Sequence, residues 1–343
     1  MPITRQVARG FDITDWTQEL NVIPNQWGTI QSLGIFSDVS VAEHVVTFEE
    51  IIKSNGVLID RVRGDKAPVN GGYARRLHTF AVPHFPIQDS ISPQDIQGKR
   101  AYGSQNAETL DAVRARKLER MRRAMAQVLE LARAHAITTG TVYAPSGTVT
   151  QDWNAEFGVT RKSVDFKLGT ATTDVIAAIE AGIAQIQDNA SGEMISEIVV
   201  LTSPEFFAKL IAHATIKNAY QYYASTQDIL RQRAGGANAL HREFYHGGAR
   251  FIEMRDTFGG TLGDGTGTRL IPAGKAYMLP RGTDAFKTYF SPANRFGLVN
   301  TLGEQAYVFE SQEDDTQILL QGETNFVNAL MRPALVVECT TSN

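Results

Sequence analysis

The clearest hydrophobic pattern in the chain is a helical one, between residues 106 and 137. This segment is rich in Ala, Leu, Arg, Met and Glu and contains no Gly or Pro, a composition that favours helix. Gly140 follows it, as expected just beyond a helix end. At a rise of about 1.5 Å per residue the helix would span roughly 50 Å, so we expect it to form a spine. Its apolar stripe is predicted at Leu110, Val113, Leu118, Met121, Met125, Val128, Leu129 and Ala132.

Upstream of this helix the pattern predicts two strands. Residues 45–60 are rich in strand-forming side chains, and residues 78–87 alternate between apolar and polar positions. Residues 61–77 contain Gly and Pro, which favours a long loop between the strands. This loop either is solvated or reaches for an acidic neighbour. Its basic residues are Arg61, Arg63, Lys66, Arg75 and Arg76.

Residues 1–45 show no sustained period and are predicted to form an extended arm. Trp16 and Trp27 make this segment too apolar for a solvated tail. We therefore expect the arm to lie on another surface, such as a neighbouring subunit.

Downstream of the spine, helices and strands alternate. Thr173 or Asp174 can cap a helix, residues 197–202 (EIVVLT) form a short apolar run, and Ser203-Pro204-Glu205 begins a further helix. This order predicts a mixed α/β domain. Short strands are expected within residues 141–170 (TVYAP and SVDFKL), and the chain from Phe244 onward is β-rich and punctuated by glycine.

The composition is typical of a globular protein of about two domains. The chain has 343 residues, of which 43% are hydrophobic and 20% charged. A formal net charge of -4 supplies no overall cationic field for phosphate binding. The single cysteine, Cys339, excludes an internal disulfide and is compatible with assembly in the cytoplasm. We expect neither a secretion signal nor a membrane span, because no long apolar run occurs.

The spine helix is locally basic, which raises the question of nucleic acid. No aromatic residues are interleaved to stack on bases, so a solvated or subunit-facing surface is favoured over a nucleic-acid contact. The basic residues are Arg114, Arg116, Lys117, Arg120, Arg122 and Arg123.

Signals for chemistry are weak. The glycine-rich residues 259–267 lack the GK[ST] of a phosphate-binding loop, so a hairpin tip is favoured. The histidines are not spaced as metal ligands, Cys339 is predicted to lie in a strand, and Ser203 is explained by capping. The acidic residues 313–315 are predicted to form a solvated turn. The sequence predicts no catalytic, cofactor-binding or metal-binding residue.

From residue 204 onward the order of motifs is specific. The chain runs from PEFFAKLIAHATIKNAYQYY through EFYHGGARFIEM to IPAGKAYMLPRGTDAFKTYFSPANRFGLVNTLGEQAYVFE. In this order the motifs resemble the C-terminal half of the lambda-like major capsid protein family of tailed phages, also called major capsid protein E. An arm, a two-stranded loop and a spine helix precede them in the family's order, so the resemblance covers nearly the whole chain. It departs at residues 325–330, where the family has an Asn-Pro-Leu-Pro-like turn.

The resemblance implies an α+β tailed-phage capsid fold with an N-terminal arm, an extended β-hairpin loop, a peripheral domain with a long spine helix, and a mixed α/β axial domain. The implied segments are the arm (1–45), the loop and its flanking strands (46–95), the peripheral domain with the spine helix 106–137 (96–170), the axial domain (171–305), return strands of the peripheral domain (306–328) and a C-terminal strand back to the axial domain (329–343).

The function that the resemblance implies is a shell subunit, not an enzyme. Pentamers and hexamers of the chain would close an icosahedral phage head around double-stranded DNA, after assembly in the bacterial cytoplasm. The implied partners are a separate scaffold protein, a portal and a decoration protein, with non-specific proximity to DNA, no membrane and no cofactor. The residues expected at contacts between subunits are the five basic loop residues together with Arg114, Arg120, Trp16 and Trp27.

Two alternatives stay open at this point. One is a cellular nanocompartment shell of the same fold, which would enclose enzyme cargo. The other, from a different class, is an α/β nucleotide-binding enzyme that would use the glycines of residues 259–267.

Overall fold

A computed structural model of the chain describes most of its residues. These are 3–6, 12–15, 28–52, 74–98, 108–190, 192–221, 241–255, 257–258, 268–314 and 316–342. The helices are α1 (Thr29–Ser32), α2 (Leu110–Thr139), α3 (Trp153–Glu156), α4 (Val175–Asn189), α5 (Pro204–Ala212) and α6 (Ala214–Gln221). The strands are β1 (Ile3–Gln6), β2 (Asp12–Asp15), β3 (Ser37–Ser40), β4 (Val45–Ile52), β5 (Ala74–Ala81), β6 (His84–Ile91), β7 (Ser163–Asp165), β8 (Glu197–Thr202), β9 (Glu243–His246), β10 (Ala249–Glu253), β11 (Thr257–Phe258), β12 (Thr268–Arg269), β13 (Ala276–Arg281), β14 (Phe286–Phe290), β15 (Tyr307–Asp314), β16 (Gln317–Leu330) and β17 (Val337–Thr340). No helix among these residues is apolar over enough of its length to cross a bilayer.

The predicted spine helix is α2, and its ends follow capping chemistry. The Thr109 side chain accepts a hydrogen bond from the Ala112 N–H, and Gly140 ends the helix with a left-handed φ of 79°. The predicted helix start at residue 106 is too early. Thr109 has the extended backbone of a cap, so Glu108 and Thr109 precede the helix, which begins at Leu110. Residues 106 and 107 lie outside the described residues. The 30 residues of α2 span about 45 Å.

The helix α2 packs along the long strand β16, which is central to a seven-stranded sheet. The first part of β16 pairs with β15 on one edge and β6 on the other, and its last residues pair with β14. Residues 325–330, where the resemblance departs from the family, continue this strand. A Cβ on Gly322 would lie 2.5 Å from Cε of Met125 and 2.7 Å from Cε of Met121. Glycine at this position therefore lets the helix approach the strand closely.

A second, six-stranded sheet has the order β7-β17-β13-β8-β10-β9. Its central strand β8 is buried, as the apolar run EIVVLT predicts, and it pairs parallel with β10 and antiparallel with β13. Asp174 caps α4, and Ser203 accepts from the Phe206 N–H at the start of α5. Both predicted caps are confirmed. The expected strand TVYAP is wrong, since only Thr141 makes an isolated bridge, to Asp152.

The sequence division at residue 45 needs correction, because residues 28–45 pack within the subunit. Ile30 and Ile35 are buried in the main core. The Glu130 carboxylate, itself buried in α2, accepts hydrogen bonds from the backbone N–H groups of Ile30 and Gln31 at the start of α1. The carboxylate satisfies N–H groups that have no partner within the helix. The described strands of the predicted arm that precede Gly28 also belong to the subunit, because β2 pairs antiparallel with β15 and β1 pairs with β2 at the edge of the seven-stranded sheet.

Strand β14, within the segment 171–305 that is expected to be axial, pairs across the expected boundary. Its partners are β16, to which it is antiparallel, and β3, to which it is parallel. Phe286 of β14 lies 5.9 Å from Phe36, between ring centroids. Sheet membership depends on these long-range pairings, which the alternation of apolar and polar residues within one strand does not reveal.

Gly303 holds the loop of residues 292–305 against the sheet. Its N–H donates to the Val41 carbonyl at 2.9 Å, and a Cβ would overlap the backbone of Phe290 and Ser291. We expect Gly303→Ala to destabilise the subunit by about 1–3 kcal/mol, because backbone atoms must move to admit the methyl group. Urea unfolding of the purified subunit measures this. Leu302→Ala, at an exposed neighbour, is the control, and an equal loss of stability in both would contradict the close approach.

Candidate assembly surfaces

The hairpin of β4 and β5 stands apart from both large sheets. Its eight residue pairs run from Val45 opposite Ala81 to Ile52 opposite Ala74. Within the described residues it forms a two-stranded sheet of its own. The 21 residues 53–73, between the strands, lie outside the described residues. An isolated two-stranded ribbon is marginally stable in water, so this hairpin needs packing on at least one face.

Aromatic contacts fix the base of the hairpin to the body of the subunit. The Phe80 ring meets Trp153 of α3 edge-on with 4.7 Å between centroids, and Phe48 stacks on His78 at 5.2 Å. His78 Nδ1 lies 2.7 Å from Glu156 Oε1. This hydrogen bond holds the pKa of the Glu156 carboxyl below its ordinary value. The hairpin therefore projects from a rigid base.

The outward face of the hairpin is uncovered within the described residues. Leu77 is 63% exposed, and Arg75 and Arg76 on the same strand are exposed as well. These two arginines are the members of the predicted basic set that the structure describes; Arg61, Arg63 and Lys66 lie outside the described residues, as do Trp16 and Trp27 of the arm. The hairpin thus offers an apolar and cationic surface near its described end.

The basic residues of α2 are mostly engaged inside the subunit. Arg114, predicted to contact another subunit, is instead paired with Glu310 of β15, and both side chains are 14% exposed. Glu310 lies 196 residues from Arg114 in the chain, so the charge pattern of the helix alone does not reveal this partner. Further pairs join Arg116 to Glu108, Lys117 to Asp89 and Asp95, and Arg123 to Glu119. Arg120 is exposed on the helix.

A buried polar chain connects α2 to the middle of the seven-stranded sheet. The Arg133 guanidinium is 1% exposed and pairs with Asp38 of β3. Its Nε donates to the Thr288 hydroxyl at 3.2 Å, and Gln305 Nε2 donates to the other Asp38 oxygen at 3.1 Å. Burial lowers the pKa of Arg133, and the charge of Asp38 opposes that shift. These contacts fix strand β3, and the hairpin that follows it, relative to the spine.

The residues that could have carried chemistry are explained by the packing and strand pairing around them. Cys339 lies in β17, as predicted, and its burial raises the pKa of the thiol to about 12. Residues 259–267 lie outside the described residues, and their flanking strands β11 and β12 pair with each other. A phosphate-binding loop instead joins a strand to a helix, so this pairing favours the hairpin. Within the described part of the chain, no three His, Cys, Asp or Glu side chains cluster in a way that could hold a metal ion.

Comparison with known proteins decides the family. The profile of the family described as phage major capsid protein E matches residues 12–341. The chain belongs to this phage major capsid protein E family.

The capsid relatives are similar over their full length. The major capsid protein of Pseudomonas phage KPP10 is 48% identical over 342 residues, covering 97% of each chain. The major capsid protein of Salmonella phage Felix O1 is 29% identical and covers 98% of each chain. These names describe structural proteins, and neither describes an enzyme.

Solved capsid structures share the fold of this capsid protein. The putative capsid protein of an Escherichia coli CFT073 prophage aligns over 100% of both chains with a TM-score of 0.57 at 13% identity. The capsid of cyanophage P-SCSP1u aligns over 93% of this chain and 90% of its own, with a TM-score of 0.55 at 12% identity. The expected α+β capsid fold is confirmed, and the chain is a structural subunit of a phage shell.

One surface of this capsid protein was not found from sequence. Phe296 is fully exposed, Val299 is 63% exposed and Leu302 is 67% exposed. The three residues lie in the loop between β14 and β15, and Phe296 and Val299 line a groove together with Val45, the first residue of β4. Exposed apolar side chains that lie together mark contact surfaces.

Proposed function

We propose that the chain assembles with copies of itself into pentamers and hexamers of an icosahedral shell, which encloses the double-stranded DNA of a tailed phage. In this proposal the β4–β5 hairpin lies across an adjacent subunit. The observation that carries it is the projecting hairpin, which is anchored at one end and paired with no other described strand.

The two faces of the hairpin differ in burial, and this difference is the physical reason to expect docking on another subunit. The inner face is buried at Val46, His78 and Phe80, whereas Leu77 on the outer face is exposed. A partner surface that covers Leu77 removes apolar area from water, which contributes about 1.5–3 kcal/mol for a fully buried leucine. Many such contacts, repeated around the shell, stabilise a closed assembly.

The basic end of the hairpin is proposed to set its orientation on the next subunit. Arg61, Arg63 and Lys66 are proposed to meet acids of the next subunit, and Arg75 and Arg76 to extend this cationic strip. Such charges favour one register of docking more than they increase affinity. Trp16 and Trp27 are proposed to hold the arm on a neighbouring subunit. Arg120, which is exposed on the helix, is proposed to lie at another contact between subunits.

The remaining partners follow from the same proposal. A separate scaffold protein, a portal and a decoration protein complete the head, assembly takes place in the host cytoplasm, and the DNA is held without specific contacts. The capsid relatives support a phage head over a nanocompartment.

Charge variants of the hairpin end test its role. We expect Arg61→Gln, Arg63→Gln and Lys66→Gln together to lower the yield of closed shells about tenfold, because three cationic contacts per subunit are lost. Sedimentation of cell extracts from expression with the neighbouring genes measures the yield. The matched control is Arg61→Lys with Arg63→Lys, which keeps the charge. Full yield from the glutamine variant would contradict the proposed contact.

A further inference from the structure

We propose that the loop of residues 292–302 forms a two-fold contact between two copies of this chain, in which Phe296 of each copy enters a groove of the other. Phe296, Val299 and Leu302 give this loop three exposed apolar side chains within seven residues. The proposal adds a second contact to the proposed shell and does not involve the hairpin end.

The groove lies beside Phe296 and has room for an aromatic ring. It is a cavity of about 480 Å³, lined by residues 42–45 on one wall and 292–300 on the other. A cavity of about 150 Å³ already admits benzene. Val45, which is 43% exposed, and Pro292 give the groove apolar walls.

The groove is held in shape without a partner. The Val41 N–H donates to the Phe290 carbonyl at 2.9 Å, which joins the two segments just before they form the walls. The Asn294 N–H donates to Glu323 Oε1 at 3.0 Å. Arg295 lies over the Phe309 ring, 4.7 Å from the ring centroid. A preformed groove loses little conformational entropy on docking.

The projecting Phe296 ring lies beside the groove, and this arrangement favours a second copy of the chain, related by a two-fold axis, as the occupant of the groove. Phe296 is itself one of the residues that line the groove, so the projecting ring and the cavity belong to one patch. In an isologous contact the same patch meets itself, whereas a head-to-tail contact joins two different patches.

The charges of the patch are also self-complementary. Glu43 and Arg295 both line the groove. A two-fold axis can bring the carboxylate of one copy towards the guanidinium of the other, whereas a purely acidic or basic patch would repel itself. Because the chain is a shell subunit, copies of itself are its most abundant neighbours.

Crosslinking at position 296 tests the contact. Cys339 is the only cysteine of the chain and is buried, so Phe296→Cys introduces the only accessible thiol among the described residues. A short tris-maleimide can join such thiols only where the same position of several copies meets. At a two-fold axis it gives covalent dimers and no trimers, whereas a three-, five- or six-fold axis also gives trimers, and trimers would overturn the two-fold contact. We expect covalent dimers in assembled shells and none with dissociated subunits or with parent shells.

A second thiol position keeps the test decisive. If Phe296→Cys prevents assembly, Val299→Cys at the rim of the groove supplies the same readout. Assembled shells that give no dimer from either variant would overturn the two-fold contact, while leaving the proposed shell function in place. Failure of the parent chain to form any shell would contradict the proposed function itself.

A matched pair of exposed substitutions tests the energetic role. We expect Phe296→Ser to lower shell yield about tenfold or more, as for an aromatic residue central to an interface. Met194→Ser, at a residue that is 89% exposed elsewhere on the subunit, should change the yield less than about twofold. Equal yields would overturn the proposal. Normal shells that fail to retain a second viral protein would assign the groove to that protein instead.

Discussion

Removing the end of the hairpin is expected to leave a folded subunit that forms no shells. Replacing residues 53–73 by Asn-Gly would close β4 and β5 with a tight turn directly after the Ile52–Ala74 pair, since this dipeptide favours two-residue hairpins. The eight described pairs of the ribbon and its aromatic base remain, so the subunit core is unchanged. What is lost is the segment proposed to reach the next subunit.

Two measurements separate loss of assembly from loss of folding. Thermal unfolding of the variant subunit should fall within a few degrees of the parent, because no buried contact of the described core is removed. Sedimentation should show subunits or small oligomers in place of shells, a loss of at least about a hundredfold if several repeated contacts fail together. Normal shells from this variant would refute the role of the hairpin.

The second large effect is expected for Arg133→Ala. This substitution removes a buried guanidinium, opens a cavity beside Phe36 and takes one hydrogen-bond donor from Asp38 and one from Thr288. Asp38 keeps the hydrogen bond from Gln305. We expect a loss of about 2–4 kcal/mol in the free energy of unfolding. This loss is smaller than the about 3–5 kcal/mol typical of broken buried pairs, because Asp38 is 34% exposed and water can solvate it.

Arg123→Ala is the matched control for this prediction. Arg123 lies on the same helix, is 47% exposed and pairs with Glu119 one turn away. An exposed pair of this kind contributes about 0.3–0.5 kcal/mol. Urea unfolding of both subunits measures the difference. Similar losses of unfolding free energy in the two variants would show that the polar contacts of Arg133 with Asp38 do not connect the spine to the sheet.

The local elements of this fold could be predicted because their signals are local. The caps at Asp174 and Ser203, the glycine after the spine and the buried run of β8 each depend on neighbouring residues. The sheet to which β14 belongs could not be predicted, because its partners β3 and β16 are distant in the chain. The same distance hid Glu310, the acid that pairs with Arg114.

The surfaces for assembly were predicted only in part. The basic loop between two strands was visible from sequence, but its anchor was not, because Phe80 meets Trp153 across 73 residues of chain. Phe296, Val299 and Leu302 recur every three residues, a spacing typical of a buried face. Only the tertiary structure places them on the exterior. The order of motifs from residue 204 onward indicated the family. The loop, the spine helix and the arm do not by themselves distinguish one interaction protein from another.

The most direct test of the central claim is electron microscopy of the chain expressed with its neighbouring phage genes. The account predicts closed icosahedral particles built from five-fold and six-fold clusters of this subunit. Density for residues 53–73 should lie across an adjacent subunit and leave its own. The absence of closed particles, or hairpins that fold back onto their own subunits in complete shells, would contradict it.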